Sequence, residues 1–132
     1  MPRKFRAGFA WGALVGVICG TAGAHHGTAA YDMSRLVTVV GTVTDFEFIN
    51  PHSEVYFEVK SREGKVEKWE AEAGSVTGMV RAGWKKSMLR PGDRATFTGN
   101  QSKNGSYTMR LRTIVLANGQ KFEIERGEDY AN

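Results

Sequence analysis

From Leu36 to Phe48 apolar and polar residues alternate along the chain. Val37, Val39 and Val43 share one parity, with Gly41 between them; Thr38, Thr42 and Thr44 share the other, interrupted by Val40. Period-two alternation rich in Val and Thr predicts a half-buried strand. Phe46 and Phe48 fall on the opposite parity from the valines. A phase change inside one strand predicts a bulge or a sharp coil, with Gly41 as the natural kink point. A long, bent first strand of this kind serves both halves of a small barrel. Asn50-Pro51-His52 then stops the pairing, because proline has no amide donor.

Alternation resumes at Glu54–Lys60, with Val55, Phe57 and Val59 inward and Glu54, Glu58 and Lys60 outward. After the polar turn Arg62-Glu63-Gly64-Lys65, the stretch Val66–Ala73 predicts a third strand with Trp69, Ala71 and Ala73 on one face. The period then changes. Val76, Met79, Val80 and Trp84 stand at i, i+3, i+4 and i+8, a helical face. Ser75 occupies the N-cap place and Gly83 the stop, and Gly78 inside the segment keeps the helix short. Pro91-Gly92-Asp93 is a turn into a strand at Arg94–Gly99. Asn104-Gly105 and Asn118-Gly119 are hairpin signals on either side of a strand at Ser106–Leu116, and a short strand follows at Lys121–Ile124. Three meander strands, a helix, two more strands and a short extra hairpin are the order of an OB-like β-barrel of five to six strands. In that fold the helix lies between strands three and four and plugs one end. A plain antiparallel sandwich accounts for the strands but leaves the helix without a place.

The first residues change how the rest is read. Arg3, Lys4 and Arg6 precede an apolar run from Ala7 to Ile18, which ends in Thr21-Ala22-Gly23-Ala24. A basic start, a short apolar core and an Ala-x-Ala site make a secretory signal peptide. The core is short and Gly-rich for spanning a bilayer of ~30 Å. Cys19 raises the alternative of a lipoprotein cysteine, against which Ile18 stands where a small residue is usual. The expected division is therefore a signal peptide at 1–24, an N-terminal arm at 25–35, an OB-like barrel at 36–125 and a loose tail at 126–132. Cleavage after Ala24 leaves 108 of the 132 residues, enough for one compact domain. It removes the one cysteine, so no disulfide forms within the mature chain. It also removes three of the 18 basic residues, so the net charge falls from +4 to +1, 15 basic against 14 acidic. A near-neutral exported domain is a poor nucleic-acid binder, since that binding depends on neutralising phosphates. The expected location is periplasmic or secreted, with no stable membrane span once the leader is gone.

Several stretches together resemble the bacterial exported domain of unknown function 6152 family. They are His25-His26 after the leader, Gly41-Thr42-Val43, Ile49-Asn50-Pro51-His52, Trp69-Glu70-Ala71-Glu72 with Gly74-Ser75, Arg81-Ala82-Gly83-Trp84, and Leu89-Arg90-Pro91-Gly92-Asp93. Members of the family often have aromatic residues on both sides of the Asn-Pro-His; here Phe48 precedes it and Ser53-Glu54 follows. The resemblance implies an exported location and a small β domain, and carries no established activity with it.

The chemistry on offer is limited. The mature chain has three histidines, His25, His26 and His52. Cleavage before His25 frees an α-amine with a reference pKa near ~7.7–8.0, able to chelate together with its own imidazole. A second ring from His26 or His52 completes a three-nitrogen set suited to Cu(II), which favours tetragonal N and O ligands. The bland alternative is a solvated end and a histidine that caps a turn. No cysteine nucleophile remains, and Ser53 beside His52 is a neighbour in sequence only. Glu54, Glu70 and Glu72 are read as carboxylates on a solvated strand face, and Arg110 and Arg112 as a solvated face of the fifth strand. OB-type barrels bind ligands on strands two and three, which makes Asn50, Tyr56 and Phe48 the expected binding face. Tyr56 is expected to point out of the core near Phe46 or Phe48, while Trp69 and Trp84 belong to the core. The sequence thus points to a non-enzymatic accessory or binding domain whose partner is an envelope protein, glycan or small molecule. Its competitor is a copper-binding protein using His25, His26 and His52.

Overall fold

A computed structural model describes residues 28–124. The leader, His25, His26 and the tail lie outside the described residues. Among the described residues six strands and one α-helix follow in order, besides two 3-10 turns at Thr28–Ala30 and Lys86–Met88: β1 (Val37–Glu47), β2 (Glu54–Lys60), β3 (Val66–Glu72), α1 (Val76–Arg81), β4 (Arg94–Gln101), β5 (Thr108–Leu116) and β6 (Lys121–Glu123). β1 pairs with β4 along its first half and with β2 along its second. β2 pairs with β3 and β4 with β5, all antiparallel, and β3 meets β5 in parallel, which closes a five-stranded barrel. β6 adds to β5 as the extra strand. The short helix sits between β3 and β4, as expected of an OB-like barrel.

The expected phase change in β1 is present, and its place is a correction. The register runs Val43↔Phe57 and then Asp45↔Tyr56, so Thr44 is the extra, bulged residue. Gly41 meets a different need. A Cβ there would come 2.5 Å from Phe57 Cδ2 and 2.9 Å from the Glu58 carbonyl oxygen. The bulge turns Phe46 into the core, where Val43 is also buried.

The core has two aromatic layers. Phe57 stacks on Phe97 with centroids 3.8 Å apart, and Trp69 lies 6.1 Å beyond Phe57. At the end that α1 plugs, Trp84 lies 6.2 Å from Phe46 and 5.0 Å from Phe122. Ser75 caps α1 through its Oγ, which accepts from the Gly78 amide at 3.2 Å. At the other end the Trp84 amide donates to Met79 and the Gly83 amide to Val80, with Gly83 at φ +90°. That Schellman turn needs a left-handed residue at Gly83 and swings Trp84 inward. Val80, expected on the buried face, is 54% exposed. The helix has only six residues, and the turn at Gly83 hands the core position to Trp84 instead.

The arm is held at several points. The Asp32 amide donates to Gln101 at 2.9 Å and the Lys103 amide to Ala30 at 3.0 Å. Buried Asn100 donates through Nδ2 to the carbonyls of Asp32 and Arg35, 3.0 Å each, and its Oδ1 accepts from Arg112 Nε at 2.8 Å. Arg110, expected in solvent, is 7% exposed. It alternates outward between buried Met109 and Leu111, and the arm passes over that face of β5.

Candidate ligand-binding site

The outer faces of β1, β2, β3 and β5 meet in two cross-strand rows. Glu47 stands opposite Glu54, Glu54 opposite Glu72, and Glu72 beside Arg110. Next to it, Asp45 stands opposite Tyr56, Tyr56 opposite Glu70, and Glu70 beside Thr108. Alternation explains why these side chains share a face: Val55, Phe57, Trp69 and Ala71 fill the core, so their neighbours point out. Register then decides that carboxylates stand opposite carboxylates, an arrangement that destabilises a sheet unless something compensates.

The arm covers one side of this face. Tyr31 is 8% exposed and bridges to Ser102, and its hydroxyl donates to Glu72 Oε2 at 3.1 Å. The other oxygen of Glu72 lies 3.3 Å from His52 Nδ1. Tyr56 donates its hydroxyl to Glu54. Burial, followed by the charge of Glu72 and the hydrogen bond to it, pushes the Tyr31 phenol above its ordinary pKa. Tyr56 is pushed up mainly by its bond to Glu54. Glu70 is raised above its ordinary pKa, first by burial, then by the charge of Glu54 and a hydrogen bond with its carboxyl, with Glu72 and Glu47 adding to it. The carboxylates read from the sequence as solvated are therefore half-buried and electrostatically coupled.

Between arm and barrel lies a hollow of about 350 Å³, lined by Ala30, Tyr31, Glu54, Glu70, Glu72, Ser102, Asn104, Ser106 and Thr108. It is walled by three separate parts of the chain: the arm, the β2–β3 face and the β4–β5 loop. A second hollow of about 470 Å³ lies along the same sheet, between Asp45, Glu47, Tyr56, Glu58 and Lys68.

The residues singled out from the sequence are distributed as follows. Tyr56 is on the outer face, as expected, beside the carboxylates. Phe48 packs half-buried against the core, 5.5 Å from Phe46, while Phe46 is inside the barrel. Asn50 is engaged with the helix: its Oδ1 accepts from the Val76 amide at 3.0 Å. Among the described residues no group of three His, Cys, Asp or Glu side chains is arranged to hold a metal ion. His52 is thus the one expected copper ligand in view, with Glu72 behind its ring; His25 and His26 lie outside the described residues. Ser53 is fully buried and its hydroxyl donates to the Ile49 carbonyl at 3.2 Å. Tyr31 escaped the sequence reading because the arm has no period to reveal it.

A family model for a family of unknown function matches residues 13–110, about three-quarters of the chain. The chain belongs to the DUF6152 family. The matched stretch contains every residue of the hollow and the Asn50-Pro51-His52 turn, and it ends at Arg110 inside β5. No curated protein matches the chain. Among solved structures it is similar to a "tRNA fluorescent labeling enzyme", at 25% identity and a TM-score of 0.42, over 62% of this chain and 18% of that one. So the likeness takes in less than a fifth of that enzyme's length.

Proposed function

We propose that this DUF6152 protein is an exported, non-enzymatic binding domain whose ligand enters the hollow between the arm and the β2–β3 face. The observation that carries the reading is the pair of cross-strand rows: a barrel has no structural need for Glu47, Glu54 and Glu72 in one line. Local arrangements that break the rules of stability mark functional sites. The hollow falls within the 300–1,000 Å³ of ordinary small-ligand sites. The leader pattern at 1–24 supports export. A binding role rather than catalysis is supported by Ser53, whose hydroxyl is shut inside the fold beside His52 and not open to a substrate. The test is a fragment screen by amide NMR on the full chain as exported by an expressing cell. Hits should cluster on Tyr31, Glu54, Glu70 and Thr108; a screen in which all hits map elsewhere sinks the reading.

A second reading, copper binding, is favoured by one contact. A metal-ligating histidine commonly gives its other ring N–H to a carboxylate, and His52 Nδ1 faces Glu72. Tyr31 ties the arm to that same carboxylate. Thr28 is three residues from His25, a span of at most about 10 Å. Cu(II) EPR on the chain beginning at His25, beside a form with one added N-terminal Ala, decides it. Nitrogen hyperfine structure lost on extension supports the amine as a ligand; identical spectra refute it.

A further inference from the structure

β1 serves both halves of the barrel, and its first half has one open edge. Residues 37–42 pair with β4, while pairing with β2 begins only at Thr42. Among the described residues no strand pairs with the other side of residues 37–40. The Val43 amide donates to Asp93 and the Val43 carbonyl accepts from Gly92. The odd-numbered residues of this half therefore turn their backbone groups to β4 and the even-numbered ones away from it. Thr42 meets Glu58 of β2; Thr38 and Val40 meet no strand. The side chains beside this edge are apolar and in water: Leu36 is 58% exposed and Val40 45%. Residues 36–43 include no charged residue and no proline.

The other open strands are guarded. β6, at the opposite edge of the sheet, has three residues and presents Lys121 and Glu123 as an exposed ion pair at 2.9 Å. β3 meets β5 only from Glu70 to Glu72, and its free half carries Glu67 and Lys68. Short length and charge keep an edge from pairing with another chain, and the β1 edge has neither. The described parts of the chain leave it open as well. The arm arrives on the β4 side, where Asn100 holds the carbonyls of Asp32 and Arg35, and β6 lies three strands away.

We propose that this edge pairs with the same edge of a second copy, antiparallel about a two-fold axis at Thr38. The run β6-β5-β4-β1 of each copy then continues into that of the other. The open backbone groups set the register, since self-pairing must match even residues with even ones. An axis at Val39 or at Val40 sets the partner's Thr42 opposite Leu36 or Thr38, a place that Glu58 of the partner's β2 already holds. An axis at Thr38 avoids this. Thr38 then faces Thr38, a favourable cross-strand pair, and Leu36 faces Val40 twice, which takes the exposed apolar side chains of the edge out of water. No like charges meet. Main-chain bonds supply the affinity, as in other strand additions, and the isologous contact closes at two copies. With only residues 36–40 on each side, the contact belongs with the small interfaces below about 1,200 Å², so the dimer is weak and depends on concentration.

The experiment is sedimentation equilibrium of the full exported chain from micromolar to millimolar concentration, with amide NMR on the same samples. Expected is a monomer–dimer equilibrium with concentration-dependent shifts at Leu36, Thr38 and Val40. Val40→Lys sets a charge against the partner's Leu36 at both ends of the ribbon and should weaken association at least about tenfold. Val66→Lys, at an exposed valine elsewhere, should leave it unchanged. Thr38→Pro removes an amide that points to the open edge, so the monomer should fold and the dimer should be lost; it covers the case in which Val40→Lys fails to fold. Single cysteines in a Cys19→Ser chain read the register. Thr38→Cys brings two thiols together across the axis, within the ~4.4–6.8 Å Cα spacing of a disulfide, and should cross-link, whereas Leu36→Cys should not. A wild type that stays monomeric throughout, a dimer unchanged in a folded Val40→Lys, or cross-linking through Leu36→Cys in place of Thr38→Cys overturns the proposal. An added strand-forming peptide that shifts the three amides while the chain stays monomeric assigns the edge to a foreign strand and overturns it too.

Discussion

Gly99→Ala is the sharpest test of the barrel geometry. Gly99 lies where the β4–β5 register jumps from Thr98↔Thr113 to Gly99↔Leu111, which leaves Arg112 as the extra residue. The bulge draws the two backbones together. A Cβ at position 99 would sit 2.3 Å from the Arg110 carbonyl oxygen and 3.0 Å from Met109 Sδ. Ordinary contact begins at 3.4 Å, so the strands must part by roughly 1 Å. The obstacle is backbone and cannot rotate away. Parting the strands also disturbs Asn100, one residue on, which holds the arm. Overpacking costs about 1–3 kcal/mol, and a backbone obstacle puts this case at the top, about 3 kcal/mol. For a domain of this size that lowers Tm by roughly 12–24 °C.

The control is Gly64→Ala. Gly64 has φ +81° and nothing within 4 Å of the added Cβ. It isolates the cost of left-handed backbone, about 1–2 kcal/mol, from the cost of space. Both variants are measured by circular dichroism in heat and in urea, with the urea slope checked for constancy so that a change in midpoint reports stability. Gly99→Ala must lose more than Gly64→Ala. A smaller loss would falsify the close β4–β5 approach.

Two further outcomes follow from contacts already described. Asn50→Ala removes the acceptor for the Val76 amide and should cost about 1 kcal/mol, whereas Asn50→Asp keeps an acceptor and should cost less; equal losses in thermal melts refute the capping role. Glu70→Gln should change the pH dependence of stability. Burial, then the charge of Glu54, raises the folded pKa of Glu70, so its contribution is present below the ordinary carboxylate pKa and is lost as pH rises through the folded value. The melting temperature of Glu70→Gln should gain on wild type as pH rises above the ordinary carboxylate pKa and through the raised folded value; a constant difference refutes the shift.

Fold and site were legible to different depths. Period-two alternation marked the strands because one face of each is buried, and Ser75 and Gly83 marked α1 because caps are local chemistry. The phase change between Val43 and Phe46 announced the bulge but not the bulged residue: only pairing with β2 shows that Thr44 is extra. Gly41 looked like a kink, since a sequence shows the missing Cβ and not the Phe57 ring that needs its space. The site was hidden for the same reason. Glu54, Tyr56, Glu70 and Glu72 were visible as outward positions, and alternation says nothing of which carboxylate faces which. Arg110 and Tyr31 owe their burial to the arm, whose docking on Gln101, Ser102 and Lys103 rests on long-range backbone bonds that leave no periodic trace.

The placement of charge also limits what the barrel can recognise. The β2–β3 face is where OB-type barrels lay a polyanion, and here it carries Glu47, Glu54, Glu70 and Glu72 in facing rows. Phosphates would meet repulsion where they need lysine and arginine. The same carboxylates are tied to the fold: Tyr31 joins the arm to Glu72, and Asn100 fastens the arm one residue further on, at Asp32, and again at Arg35. Loss of the Tyr31–Glu72 bond would loosen the arm over this face and let water reach Glu70, relieving the burial that raises its pKa. Arm docking and the raised pKa of Glu70 are thus linked, and a change that loosens the arm must lower that pKa even when it touches neither Glu70 nor its neighbours.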